Sequence, residues 1–259
     1  MEESVTLRMD GSVAVVSMNR PARHNAFTDE MDIRFFDILD EVAARPDVRC
    51  VIWRGEGTSF SSGRDTAELG IRPGGESDLD YIERGHRRTR VLFTMPVPII
   101  VALKGWALGG SFERALLCDL RIAADDTRMA LPEVGHGVIP DSAGVARLFQ
   151  MAGHGLATDL ALTGRVIDAA EALQHGLISR IVPAADLDDA AMALAQTIAE
   201  RSPLAVRFAL NTIRGLGVPT IERTLHEEKL AQVAIFASED YAEGIAARTD
   251  GRAPTFNGR

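Results

Sequence analysis

Cysteine is scarce in this 259-residue chain, and no apolar run approaches the ~20 residues that a membrane-spanning helix needs. Cys50 and Cys118 are the two cysteines, without a CxxC or a Cys/His cluster around either. That usage supports neither a disulfide framework nor a metal site, and it reads as two buried, reduced thiols in a cytoplasmic protein. No basic N-terminal region leads into an apolar segment, so no secretory signal is expected. Internal repeats and low-complexity tracts are missing as well. No GxSxG offers a hydrolase nucleophile, and the GxG at 55–57 lacks the third glycine of a dinucleotide fingerprint. Positive charge is in deficit, 28 Lys and Arg against 37 Asp and Glu, for a net charge of −9. Such an acidic chain is a poor candidate for binding nucleic acid or an anionic membrane.

With 46% hydrophobic and 25% charged residues, the chain has the composition of a globular enzyme, long enough for one large α/β domain or for a domain with a helical appendage. Residues 4–18 alternate twice around Asp10-Gly11, which predicts a β-hairpin. A polar loop, 19–26, carries Arg20 and Arg23. Thr28 can cap a helix whose Met31, Phe35, Leu39 and Val42 form one apolar stripe. Cys50 to Trp53 reads as a buried strand that leads into the glycine- and serine-rich loop 55–65. Residues 70–78 read as a loop and Leu79 to Met95 as a helix stopped by Pro96 and Pro98.

Glycines and carboxylates then coincide. Pro98 to Leu103 is a short apolar run of the kind buried on both faces of a sheet. Gly105, Gly109 and Gly110 force a turn, and Phe112 to Leu117 opens a helix. The first N–H groups of a helix have no partner within it and sit at its positive end. The N–H of Gly110 is therefore a candidate donor to a developing oxyanion, a role worth roughly 2.7–4 kcal/mol of transition-state stabilisation. Glu113 follows directly, and Glu133 comes 20 residues later, after the Met129-Ala130-Leu131 run and Pro132, at a strand end or loop. Cys118 to Ala124 reads as a strand interrupted by Asp119 and Arg121.

Beyond Ser142 the pattern is mostly helical. Asp168 with Glu171 resembles a capping box, and Leu177 to Val182 reads as a short strand. Leu187, Ala191, Leu194 and Ile198 make a helical stripe. Ser202-Pro203 opens a further helix, and 219–237 and 239–248 are expected to add two more.

NRPARHNA (19–26), SFSSGRDTAEL (59–69), the segment 96–141, LTGRVIDAAEALQHGLISRIV (162–182) and EGIAARTDGRAPTF (243–256) occur in this order. Together they resemble the crotonase, or enoyl-CoA hydratase/isomerase, superfamily over nearly the whole chain. The resemblance implies an α/β crotonase (ClpP-like) fold: a spiral core of repeated ββα turns over 1–201 that holds an acyl-CoA site, and a helical trimerisation region over 202–259. It implies a homotrimer or a dimer of trimers, and an acyl-CoA thioester as substrate with no added cofactor. The main-chain N–H groups of Arg64 and Gly110 would form the oxyanion hole. Glu113 and Glu133 would be the acid/base pair of a hydratase. Asp141 falls where dienoyl-CoA isomerases carry a third carboxylate, and Arg23, Ala26, Asp65 and Thr66 fall on loops that line the CoA channel in relatives.

The chain departs from the pattern at Arg64, where hydratases usually have a small residue, at Ser111 in place of a third glycine, at Arg114, and at 144–147. Main-chain donors tolerate these changes, whereas the acyl pocket does not, and Arg64 points to a carboxylate or another polar group on the acyl chain. His136 is read as a solvated or structural residue. Three activities fit: hydration of a 2-enoyl-CoA, isomerisation of an enoyl- or dienoyl-CoA, and acyl-CoA binding without turnover.

Overall fold

The Asp10-Gly11 turn closes a hairpin between β1 (Val5–Asp10) and β2 (Val13–Met18), in which Val5 faces Met18 and Asp10 faces Val13. The computed structural model describes residues 3–259. From β2 the chain runs through helix α1 (Asp29–Ala43) to a parallel strand β3 (Cys50–Gly55), and through α2 (Asp78–Thr94) to β4 (Ile99–Leu103). The expected cap at Thr28 holds, its side chain accepting from the Met31 amide, and Ser77, at the end of the stretch read as a loop, accepts from the Asp80 amide. The stripe Met31, Phe35, Leu39 and Val42 is buried throughout.

A second layer begins with β5 (Trp106–Leu108), followed by α3 (Gly109–Leu117), β6 (Leu120–Ala124) and β7 (Arg128–Ala130). β6 joins the first sheet beside β4, whereas β5 and β7 pair with each other in a second sheet. Isolated bridges Phe27 to Arg64 and Ser61 to Ala107 extend the second layer upstream. Each turn of the chain thus sets one strand in the first sheet, a short extended piece in the second, and then a helix. This is the ββα spiral that the resemblance implies.

The chain continues through α4 (Gly144–Thr163), β8 (Ile167–Asp168), α5 (Ala169–Gln174), β9 (Ile181–Val182) and α6 (Leu187–Ala199). It ends with α7 (Pro203–Phe236) and α8 (Glu239–Thr249). The first sheet runs β1-β2-β3-β4-β6-β9 and the second β5-β7-β8. One face of the first sheet packs Val16, Val51, Val101 and Ala123 against α1, α2 and α3, and the other packs Val13, Ile52, Ile100 and Ile122 against Leu187, Ala191 and Ala195 of α6. Burial on both faces explains why β4 is a continuous apolar run, and β2, expected to alternate, is buried at every position. Cys50 and Cys118 are free and buried, and burial pushes the Cys50 thiol up to about 12.

Three element boundaries differ from the sequence expectation. The Cys118 to Ala124 strand begins only at Leu120, because the Cys118 carbonyl accepts from the buried Arg121 guanidinium, which also caps α3 through the carbonyls of Ala115 and Leu116. The same guanidinium takes the Leu177 carbonyl, and the Ser179 amide donates to Arg121, so Leu177 to Val182 is a strand only at Ile181 and Val182. The helix expected over 219–237 is the second half of α7, which runs straight through Pro219. A proline inside a helix costs about 3 kcal/mol, which buried Leu210, Ile221 and Leu225 on either side offset by packing. Asp119 interrupts its apolar run because it accepts from Arg214 of α7 at 2.9 and 2.7 Å and from the Ile99 amide at 2.8 Å. No helix among the described residues is long and apolar enough to cross a membrane.

Candidate active site

Ser61 fixes the first wall of the site. Its buried hydroxyl donates to the Asn25 carbonyl at 2.8 Å, shares a 2.8 Å hydrogen bond with the Ser111 hydroxyl, and accepts from the Gly63 amide at 3.2 Å. Three segments of the second layer therefore meet on one side chain: the 19–26 loop, the 59–65 loop and the start of α3. Ser111, at a position where the resemblance led to the expectation of a third glycine, contributes its hydroxyl to this lock. Ser61→Ala leaves a buried carbonyl and amide without that partner and is expected to cost about 1–3 kcal/mol. Ser111→Ala keeps two of the three contacts and is expected to cost about 1 kcal/mol or less, and urea unfolding of the two variants checks the order.

The lock brings Arg64 beside the helix start. A Cβ on Gly63, whose φ is +87°, would come 2.9 Å from the Leu108 carbonyl, so the Gly63–Arg64 backbone lies directly against Leu108–Gly109. Phe27 occupies both neighbours of Arg64: its amide donates to Gly63 and its carbonyl accepts from Asp65. The Arg64 amide points away from that bridge and has no main-chain acceptor among the described residues. Gly110 is the second residue of α3, where an N–H lacks an intrahelical partner.

Glu133 follows β7 in a short 3-10 turn, Glu133–His136, and reaches back over the helix start: a Cβ on Gly109, φ +55°, would lie 2.8 Å from its Oε1. Only glycine fits at 109, for both the backbone angle and the space. Glu113, one turn into α3, is 1% exposed. Its Oε1 accepts from the amides of Ser142 and Gly144, each at 3.1 Å, and its Oε2 from the Asp141 amide at 3.2 Å.

Helix α7 holds that amide loop from the other side. Glu228 accepts from the Ala143 amide at 2.8 Å and Gln232 from the Ile139 amide at 3.2 Å. Ala143 sits in the left-handed region, φ +58°, and Glu228 secures the amide of this strained residue. Sequence reading misses Glu228 and Gln232; their only local signal is the four-residue spacing that puts both on one helix face.

Burial pushes the Glu113 carboxyl up to about 8, with Asp141 adding to the rise and the three N–H groups opposing it. Burial and then the Glu113 charge raise Glu133 well above the usual carboxylate range. No N–H group holds Glu133's Oε2, which is buried without a partner among the described residues. Asp141 rises to about 6 by burial, against the pull of Arg114 and Arg64. The first of the two glutamates to ionise is thus Glu113, the one with three amides around it.

A cavity of about 190 Å³ brings these groups together: Glu113, Glu133, Asp141, Arg64 and Gly110 all line it. Its other walls are residues that the sequence reading does not single out, among them Asp29 and Asp32 of α1, Tyr81 and His86 of α2, and Phe236 of α7. Arg23, Ala26, Asp65 and Thr66 are not part of this wall. Arg23 and Thr66 are exposed, Ala26 is buried, and Asp65 pairs with Arg20 at 3.0 Å. His136 is exposed and outside the cavity wall.

A sequence profile of the enoyl-CoA hydratase/isomerase family matches residues 8–259. The chain belongs to that family, the crotonase superfamily. It is 36% identical to a probable enoyl-CoA hydratase of Mycobacterium tuberculosis over 99% of both chains. The crystal structure of an enoyl-CoA hydratase/isomerase from Pseudoalteromonas atlantica superposes with a TM-score of 0.89 at 27% identity, covering 98% of this chain and all of the other. A methylmalonyl-CoA decarboxylase in complex with 2-nitronate-propionyl-CoA superposes with a TM-score of 0.85 at 30% identity over the full length of both.

Proposed function

We propose that the protein is an enoyl-CoA hydratase, adding water across the C2=C3 bond of a 2-enoyl-CoA thioester. The observation that carries this reading is the shared cavity: a buried Glu113 and a half-buried Glu133 of unequal proton affinity, beside the main-chain N–H groups of Arg64 and Gly110, for which there is no acceptor among the described residues. The amides of Arg64 and Gly110 receive the thioester oxygen, drawing charge from C3 and stabilising the enolate. Glu113, ionised, takes a proton from water as its oxygen bonds to C3; Glu133, protonated, delivers its proton to C2. The net change is one water added, and proton transfer from Glu113 back to Glu133 resets the pair. Coenzyme A is part of the substrate, and the reaction requires no added cofactor.

Arg23, Ala26, Asp65 and Thr66, outside the cavity beside the Ser61 lock, are assigned to the CoA channel, with Arg23 meeting a phosphate. Residues 202–259 are assigned to trimer contacts. Leu204, Phe208 and Leu216 of α7 leave large apolar side chains exposed, which supports assembly into a trimer or a dimer of trimers.

One observation favours a second reading. Asp141 is a third carboxyl in the same cavity, and with Glu113 it offers two proton acceptors for an isomerase that moves a double bond. A panel of 2-enoyl-CoA esters in ¹⁸O-labelled water separates the two. Loss of the conjugated-thioester absorbance with label in a 3-hydroxyacyl product is expected. A shifted double bond without label would establish the isomerase instead.

A further inference from the structure

The cavity wall around the carboxylates is not a plain hydrocarbon slot. Ile82, Val138 and Ile139 contribute apolar surface, but Arg64 and Arg114 line the same space. Both are locked in place. Arg64 pairs with Asp29 at 2.8 Å and Glu68 at 3.0 Å. Arg114 pairs with Asp32, which Arg88 also contacts at 3.0 Å, and it lies over the rings of Phe27 and Phe36 at 5.7 and 5.2 Å. Each nevertheless keeps one terminal nitrogen, Nη1 of Arg64 and Nη2 of Arg114, that donates to no acceptor among the described residues. A guanidinium N–H left without an acceptor is a ready donor to a ligand oxygen.

We infer that the acyl group of the substrate carries an oxygen acceptor, a carboxylate or a hydroxyl, beyond its thioester unit, and that Arg64 and Arg114 read it. This rests on the acyl-CoA reading of the site. The four residues assigned to the CoA channel are outside the cavity, so the cavity is the acyl side. Asp29, Asp32 and Glu68 neutralise the guanidinium groups in place, so selection comes from fixed N–H directions instead of net charge. The side chain at 64 thus acts on the acyl group while its amide faces the thioester.

The test uses saturated esters of equal chain length, so that no turnover occurs: hexanoyl-CoA, 6-hydroxyhexanoyl-CoA and adipyl-CoA, titrated calorimetrically into the full chain. At least one oxygenated ester is expected to bind about tenfold or more tightly than hexanoyl-CoA, since a site built to hydrogen-bond a ligand oxygen rejects the analogue that lacks it. Preference for adipyl-CoA alone identifies a carboxylate, and similar binding of both identifies a neutral acceptor as sufficient. Arg114→Met and Arg64→Met, the second of which keeps the main-chain N–H, are each expected to bring the ratio towards one. Equal or tighter binding of hexanoyl-CoA overturns the inference, as does a ratio that neither substitution changes. Failure of all three esters to bind would instead refute the acyl-CoA reading, and a preserved ratio in a protein that hydrates no enoyl ester would refute the hydratase reading alone.

Discussion

Glu133→Gln is expected to lower kcat by about 10²–10⁴-fold, the range for a lost general acid. Glutamine fills the same space over Gly109 but cannot deliver a proton to carbon. Glu113→Gln is expected to fall in the same range, for want of a base. The pH profiles separate the two roles. Glu113 ionises first, with its carboxyl raised to about 8, so kcat/KM should rise with pH through that region as the pair passes from two protons to one. It should fall again where Glu133, raised further, loses its proton. Glu133→Gln is expected to abolish the alkaline limb and keep the acid limb, and Glu113→Gln the reverse. Two variants with undiminished activity, or limbs exchanged between them, would refute the assignment.

The same shift has a consequence for stability. In the unfolded chain Glu113 returns to an ordinary carboxyl near 4.5, whereas folded it stays protonated up to about 8. Between those values the folded state binds more protons, so this group's contribution to stability falls as pH rises. The melting temperature of Glu113→Gln, relative to the parent, is therefore expected to improve from about pH 5 to pH 8. The absolute comparison also includes a loss, because the glutamine amide sets a donor against either the Asp141 or the Ser142 and Gly144 N–H groups.

Gly110→Pro is expected to reduce kcat by about 10²–10³-fold, the effect of deleting one oxyanion donor. Position 110 is the second residue of α3, and proline is tolerated in the first turn of a helix, where its missing N–H breaks no helical bond. Gly110→Ala is the matched control: it keeps the N–H, and its Cβ would meet nothing closer than the Ser142 Oγ at 4.0 Å. The pair isolates the amide from the side chain. Unfolding midpoints within a few degrees of each other would show that the helix start survives in both, and equal kcat in the two variants would exclude Gly110 as a donor.

Much of this site is legible from sequence because its parts are local. Gly105, Gly110, the helix start and Glu113 lie within nine residues, and Glu133 follows two short strands later. Apolar continuity in β4 signals a strand covered on both faces, whereas β2 reads as alternating although every one of its residues is buried. What sequence does not reveal is set by contacts between distant segments. Arg121 reads as an interruption of a strand, yet it gathers four carbonyls and shortens two strands. Pro219 reads as a helix boundary, yet packing on both sides carries α7 through it. Ser61 is one serine among several in its loop, and nothing local marks it as the side chain on which three segments converge. Glu228 lies more than a hundred residues from Glu113, and only the path of α7 brings it to the loop whose amides hold that carboxylate.

The Arg64 arrangement bears on how this scaffold diversifies. Because the proposed contact to the reacting carbonyl is made by peptide atoms, any amino acid except proline supplies it, and the side chain at 64 is left free to face a different part of the bound molecule. A lineage can then retool which acyl groups it accepts, one codon at a time, without dismantling the catalytic apparatus on which every variant depends.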